Sequence, residues 1–124
     1  MIKTDSLTDN KIPKNIFLVV NHQLFTLYKT STNIGRNPEN DLIINEPGIS
    51  RTHAEVQFEE GKFVVMDMGS TNGTKVNGKD ISRHELSSGD TITLANAPIL
   101  FIDRSEKMLR QALDTTTNLA KEIN

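Results

Sequence analysis

Turn-forming residues punctuate the chain at short intervals up to residue 103, and this spacing constrains the fold more than any other feature. Asn21-His22, Asn37-Pro38, Glu46-Pro47-Gly48, Glu60-Gly61, Asn77-Gly78 and Ser88-Gly89-Asp90 are such breaks. Between them lie runs rich in β-branched and aromatic residues, at 16–20, 24–28, 31–35, 41–44, 53–58, 62–67, 74–76, 90–94 and 98–102. Each run has strand length, and none is followed by a helical repeat long enough for the crossover that joins parallel neighbours. Many short strands with frequent turns predict an all-β sandwich or barrel. Asn77-Gly78 is the sharpest turn signal, because both residues tolerate the positive φ of a type I′ hairpin.

The pattern changes at both ends. Residues 1–14 are rich in Thr, Asp, Ser, Asn and Lys and read as a flexible N-terminal arm, leaving 15–103 as the folded domain and 104–124 as a C-terminal helix or tail. Asp103 with Glu106 is a candidate capping pair. Met108, Leu109, Ala112 and Leu113 then share a helical face, continued by Leu119, Ala120 and Ile123 if the helix survives the β-branched Thr115-Thr116-Thr117. Such a face most often packs back on its own domain, here the sandwich edge; a homodimer or partner contact is the alternative.

At 124 residues the chain supports a single buried core. A formal net charge of −2 argues against broad binding to nucleic acid, which needs many basic groups against phosphates. No window has the roughly 20 apolar residues of a membrane span. The first residues carry no secretory apolar region, which favours the cytoplasm. The absence of cysteine removes disulfides, thiolate catalysis and cysteine-based zinc sites.

Three segments carry the chemistry: Gly35-Arg36, Ser50-Arg51-Thr52-His53 and Gly69-Ser70-Thr71-Asn72-Gly73-Thr74. A phosphorylated side chain presents about −1.5 to −2 charges and three acceptor oxygens. Arg36 and Arg51 match it with fixed donors that keep their charge at neutral pH. Ser50 and Thr71 add hydroxyls, and Asn72 offers a donor and an acceptor suited to a peptide backbone. Glycines flanking Ser70-Thr71-Asn72 let that loop curl, so its amides can also face an anion.

In order and spacing, Gly35-Arg36, Asp41, Ser50-Arg51-Thr52-His53, Asp67 through Thr74, Val76-Asn77-Gly78 and Gly89-Asp90 closely resemble the forkhead-associated (FHA) domain. The resemblance implies a β-sandwich of about eleven strands whose loops at one end bind phosphothreonine peptides. It assigns phosphate contacts to Arg36, Ser50, Arg51 and Thr71, a peptide main-chain contact to Asn72, and loop shaping to Gly35, His53, Gly73 and Asn77. It also implies a small pocket for the γ-methyl of threonine and no cofactor. The partner it suggests is a phosphothreonine-bearing protein, such as a Ser/Thr kinase or its substrate, bound by a signalling adaptor or regulator. Ala95-Asn96 departs from the glycine often found there, and Glu39, Asp41 and Glu46 place acidic charge near the basic residues.

Other signals are weaker. His53 reads as a buried brace between loops, since no second ligand stands beside it at metal-binding spacing. His22 and His84 read as solvated. Lys75 follows Thr74 where a P-loop lysine would precede it, and no helix pattern follows. Asn72-Gly73-Thr74 fits a glycosylation sequon that matters only to an exported chain. Asp41, Asp67 and Asp90 stand at strand boundaries, where loop hydrogen bonding is their commoner task. No nucleophile has an activating base beside it, so an enzyme ranks last. The main rival to a phosphopeptide reader is a phosphate-independent scaffold using the sandwich surface or the C-terminal helix. Thr4, Thr8 and Thr115 to Thr117 are accessible to a kinase in principle, and a phosphorylated tail could fold back into the site; plain polar tail is the commoner reading.

Overall fold

A computed structural model describes residues 11–123, with side-chain environments for residues 11–115. Eleven strands precede one helix: β1 (Ile16–Val20), β2 (Gln23–Thr26), β3 (Ser31–Gly35), β4 (Leu42–Ile43), β5 (Ala54–Glu59), β6 (Lys62–Asp67), β7 (Thr74–Val76), β8 (Lys79–Ile81), β9 (Arg83–Glu85), β10 (Thr91–Leu94), β11 (Ala97–Asp103) and α1 (Glu106–Ile123). They form two sheets, ordered β2-β1-β11-β10-β7-β8 and β4-β3-β5-β6-β9. Every pairing is antiparallel except β3 with β4. The expected eleven-stranded sandwich is therefore the fold.

Alternation drives the packing. Ile16, Leu18 and Val20 of β1 point inward, as do Ile92 and Leu94 of β10 and Ile99 and Phe101 of β11. They meet Ile34, Val56 and Val65 of the other sheet in one core. Phe58, Phe63 and Phe101 add tilted ring contacts, at centroid distances of 4.8 and 5.7 Å. The Asn77-Gly78 turn has φ of 51° and 85°, as a type I′ hairpin requires, and joins β7 to β8. Asn21-His22 and Glu60-Gly61 turn in the same way.

Three features differ from the sequence reading. Strands β8 and β9 occupy stretches with no strand signal, and His84, expected to be solvated, lies on β9 with Nε2 3.5 Å from an Asp90 carboxylate oxygen. The helix N-cap is Ser105: its hydroxyl accepts from the Met108 N–H at 3.4 Å, while Asp103 accepts from the Ser105 N–H at 2.9 Å. Glu106 pairs with Arg110 and takes no part in the cap. Finally, α1 runs through the threonines to Ile123, with Met108 and Gln111 beside Phe63, Leu86 and Phe101 of the sandwich; Leu119, Ala120 and Ile123, expected to continue its apolar face, have side chains outside the described residues. Ser105 is buried and Met108 half-buried, whereas Leu109 and Leu113 are 48% and 67% exposed. The cap and the bond from Arg104 N–H to Asn15 O fix the direction of departure within two residues of β11. Thr4 and Thr8 lie outside the described residues; Thr115 Oγ1 donates to the Gln111 carbonyl.

Candidate functional site

Three loops meet at one end of the sandwich: residues 36–41 after β3, 44–53 before β5, and 68–73 between β6 and β7. The first two are zipped together through the backbone. Arg36 N–H donates to Ser50 O at 3.0 Å, Asn37 N–H to Arg51 O at 3.1 Å, and His53 N–H to Ile34 O at 2.9 Å. Arg36 and Ser50 are thus neighbours by main-chain register, independent of their side chains. The approach is close enough to exclude a side chain at Gly35, where a Cβ would lie 2.2 Å from the Arg51 carbonyl oxygen.

His53 ties the second loop to the third. Its ring is fully buried, Nδ1 accepts from the Ser50 N–H at 3.1 Å, and Nε2 lies 2.9 Å from Gly73 O. A carbonyl only accepts, so Nε2 must carry the proton and the ring is the neutral Nε2–H tautomer. Thr71 N–H then donates to Ser50 Oγ at 3.1 Å, which leaves the Ser50 hydroxyl proton free to face a ligand. Asn72 Nδ2 donates to Gly48 O at 2.8 Å, leaving its Oδ1 open as an acceptor.

Asp67 sets the shape of the third loop. Its carboxylate accepts from Gly69 N–H, Ser70 N–H, and the hydroxyls of Ser70 and Thr74, at 2.5–3.1 Å. Burial pushes this carboxyl up, but the hydrogen bonds from Ser70, Thr74 and Gly69 outweigh burial and hold it below its ordinary range. Gly73, at φ 86°, closes the turn, and its N–H donates to Ser70 Oγ. Asn77 links β7 to β10 by donating to Asp90 and accepting from the Thr91 N–H.

Arg36, Ser50, Thr71 and Asn72 line one open cleft of about 720 Å³, together with the 45–49 segment. Arg36 Nε donates to Ile49 O at 3.0 Å, which orients the guanidinium and leaves its terminal nitrogens uncommitted. Arg83 and Arg110 are ion-paired, whereas neither Arg36 nor Arg51 has a carboxylate partner among the described residues. Arg51 is exposed beside the cleft-lining Ser50, and its carbonyl accepts from Asn37 N–H and Asn40 Nδ2. Asp41 is engaged by Asn33 N–H and Lys29, and these contacts lower its pKa and offset its charge near the site.

Sequence reasoning missed Asn40. It is buried, and its Nδ2 donates to both Asn37 O and Arg51 O, at 2.8 and 2.6 Å, locking the first loop to the second. Only its place between Pro38 and Asp41 hinted at a turn. The lining role of 45–49 was likewise unmarked. Among the described residues no group of His, Asp or Glu could hold a metal ion.

A sandwich with three cross-braced loops around a cleft that presents one unpaired guanidinium and a hydroxyl has the groups an anion-recognition module needs. The FHA domain profile matches residues 32–95, and the chain belongs to the FHA domain family. The oxoglutarate dehydrogenase inhibitor of Corynebacterium diphtheriae is 39% identical over 79 residues, covering 64% of this chain and 55% of that protein. The glycogen accumulation regulator GarA of Mycolicibacterium smegmatis is 36% identical over 78 residues, 63% of this chain and 49% of that one. The match thus spans about half the length of these relatives. A structure described in a study of phosphothreonine-dependent FHA domain interactions superposes with a TM-score of 0.69 at 27% identity, over 72% of this chain and 96% of the other.

Proposed function

We propose that the protein reads phosphothreonine in a partner polypeptide and acts as a binding regulator, not an enzyme. The observation that carries this reading is the cleft itself: Arg36 held by Ile49 O with its end nitrogens free, beside the Ser50 hydroxyl and Thr71. In this reading Arg36, Ser50 and Thr71 contact the phosphate, Arg51 adds charge from the adjoining segment, and Asn72 Oδ1 meets the peptide main chain. Gly35, His53, Gly73 and Asn77 hold the loops in place. The phosphothreonine-dependent interactions of a superposing FHA structure, and relatives named as an inhibitor and a regulator, support it. The partner is then a phosphothreonine-bearing protein such as a Ser/Thr kinase or its substrate, met in the cytoplasm.

Titration with matched phosphothreonine, phosphoserine and unphosphorylated peptides tests the reading. Phosphothreonine should bind best, with phosphoserine weaker by about 1–3 kcal/mol for the missing methyl. Arg36→Ala should cost about 2–5 kcal/mol, and binding should weaken with salt. Equal affinity for all three peptides would end the proposal. The uncovered Leu109 and Leu113 favour a second contact, in which α1 joins two copies of the chain; a monomeric mass at high concentration by light scattering would exclude it.

A further inference from the structure

We propose that Glu46 makes the site selective for phosphopeptides with a lysine or arginine close to the phosphothreonine. The inference rests on the phosphothreonine reading above and names the ligand more narrowly. Glu46 and Arg36 are the two charged residues lining the cleft. The Glu46 backbone is occupied, its carbonyl accepting the Ile49 N–H at 3.2 Å, but its carboxylate has no hydrogen bond or ion pair among the described residues. The other nearby acids are accounted for. Asp41 is held by Lys29 and Asn33, Asp67 by its own loop, and Glu39 lies outside the cleft.

A free carboxylate on a half-buried residue opposes a dianionic ligand unless that ligand brings its own cation. Glu46 therefore favours a basic flank and rejects an acidic one, and discrimination arises from both effects. Partly exposed ion pairs contribute about 0.2–1 kcal/mol, so each effect should be about 1.4- to 5-fold in affinity.

The test uses a phosphothreonine peptide in which a single lysine is moved through the flanking positions. Alanine and glutamate versions and unphosphorylated controls complete the set, read by fluorescence anisotropy at low salt. Lysine should tighten binding about threefold over alanine at one or more positions, and glutamate should weaken it similarly. In Glu46→Gln, which leaves the backbone bond to Ile49 intact, the lysine-to-glutamate ratio should fall towards one. In Glu46→Lys it should invert, while Glu39→Gln should keep it. A ratio that is the same in the parent protein and Glu46→Gln overturns the inference while leaving phosphothreonine binding intact. If no phosphopeptide outbinds its unphosphorylated control, the underlying reading fails and this inference with it.

Discussion

Replacing His53 by alanine removes the fully buried side chain among those that join the second and third loops, and the structure sets the size of the effect. The half-buried Ser50 N–H loses its 3.1 Å bond to the fully buried ring nitrogen, at about 1–3 kcal/mol for a donor left unpaired. Gly73 O fares better. It also accepts from the Ala95 N–H at 3.2 Å, so it gives up one bond of two, worth about 0.5–1.5 kcal/mol. The void left by the ring adds destabilisation of its own. A total of about 3–5 kcal/mol is a large share of the 5–15 kcal/mol that holds a domain folded. Urea denaturation at neutral pH measures it, through a lowered midpoint at unchanged slope. Phosphopeptide titration of the folded fraction reads a second effect: with Ser50 no longer held against Thr71, affinity should fall about tenfold. A midpoint within about 0.5 kcal/mol of the parent would refute the bracing argument. Lost stability with unchanged affinity would confine His53 to supporting the fold.

The other predictions follow from single contacts. Gly35→Ala drives a Cβ towards the Arg51 carbonyl oxygen and carbon, at 2.2 and 2.9 Å, so backbone must move; it should cost about 1–3 kcal/mol by urea denaturation, and an unchanged midpoint would mean the loops tolerate separation. Asp41, Asp67 and Asp90 all have depressed folded-state pKa values, so their stabilisation is complete above the unfolded value of about 3.9 and is lost as pH falls through the folded values. Stability measured against pH should therefore decline below about pH 4, with a shallower decline in Asp67→Asn; an identical slope in that variant would show that the third loop does not depend on the charge. Removing residues 112–124 deletes the exposed residues 112–115 with the rest of α1 and should shift stability by no more than about 0.5 kcal/mol while reducing helical circular dichroism; a larger loss would place the helix against the sandwich.

What was legible in the sequence was local. Runs such as Ile16–Val20 and Lys62–Asp67 show their strands because apolar residues face a core on one or both sides. Strands β8 and β9 lack that mark. Lys79-Asp80-Ile81 and Arg83-His84-Glu85 are the exposed edges of their sheets, where charge discourages pairing with another chain and periodicity has nothing to report. Helix α1 misled in the opposite sense. Its apolar spacing predicts a covered face, yet of that face's described residues Met108 is half-buried while Leu109 and Leu113 are exposed, and only tertiary placement could reveal that.

The candidate site divides along the same line. Residues that project into the cleft come in short motifs, so Arg36, Ser50, Thr71 and Asn72 could be picked out together. The groups that hold those motifs in register act across the chain: Asn40 reaches Arg51 O, His53 reaches Gly73 O, and Gly35 matters for the side chain it lacks. Gly73 needs its positive φ, but Gly35 does not have one; a Cβ there would collide with a residue 16 positions later (51 − 35). A glycine required for close approach looks the same in sequence as one required for a turn. Arg51 is the converse case. Its motif position suggests a phosphate contact for the side chain of this exposed residue, and the structure shows a second use, its carbonyl accepting from Asn37 and Asn40. The main-chain use would survive Arg51→Ala and the charge would not. That variant should therefore keep the parent's urea midpoint and lose only the salt-sensitive part of phosphopeptide affinity; a large loss of stability would mean that the side chain, too, is part of the scaffold.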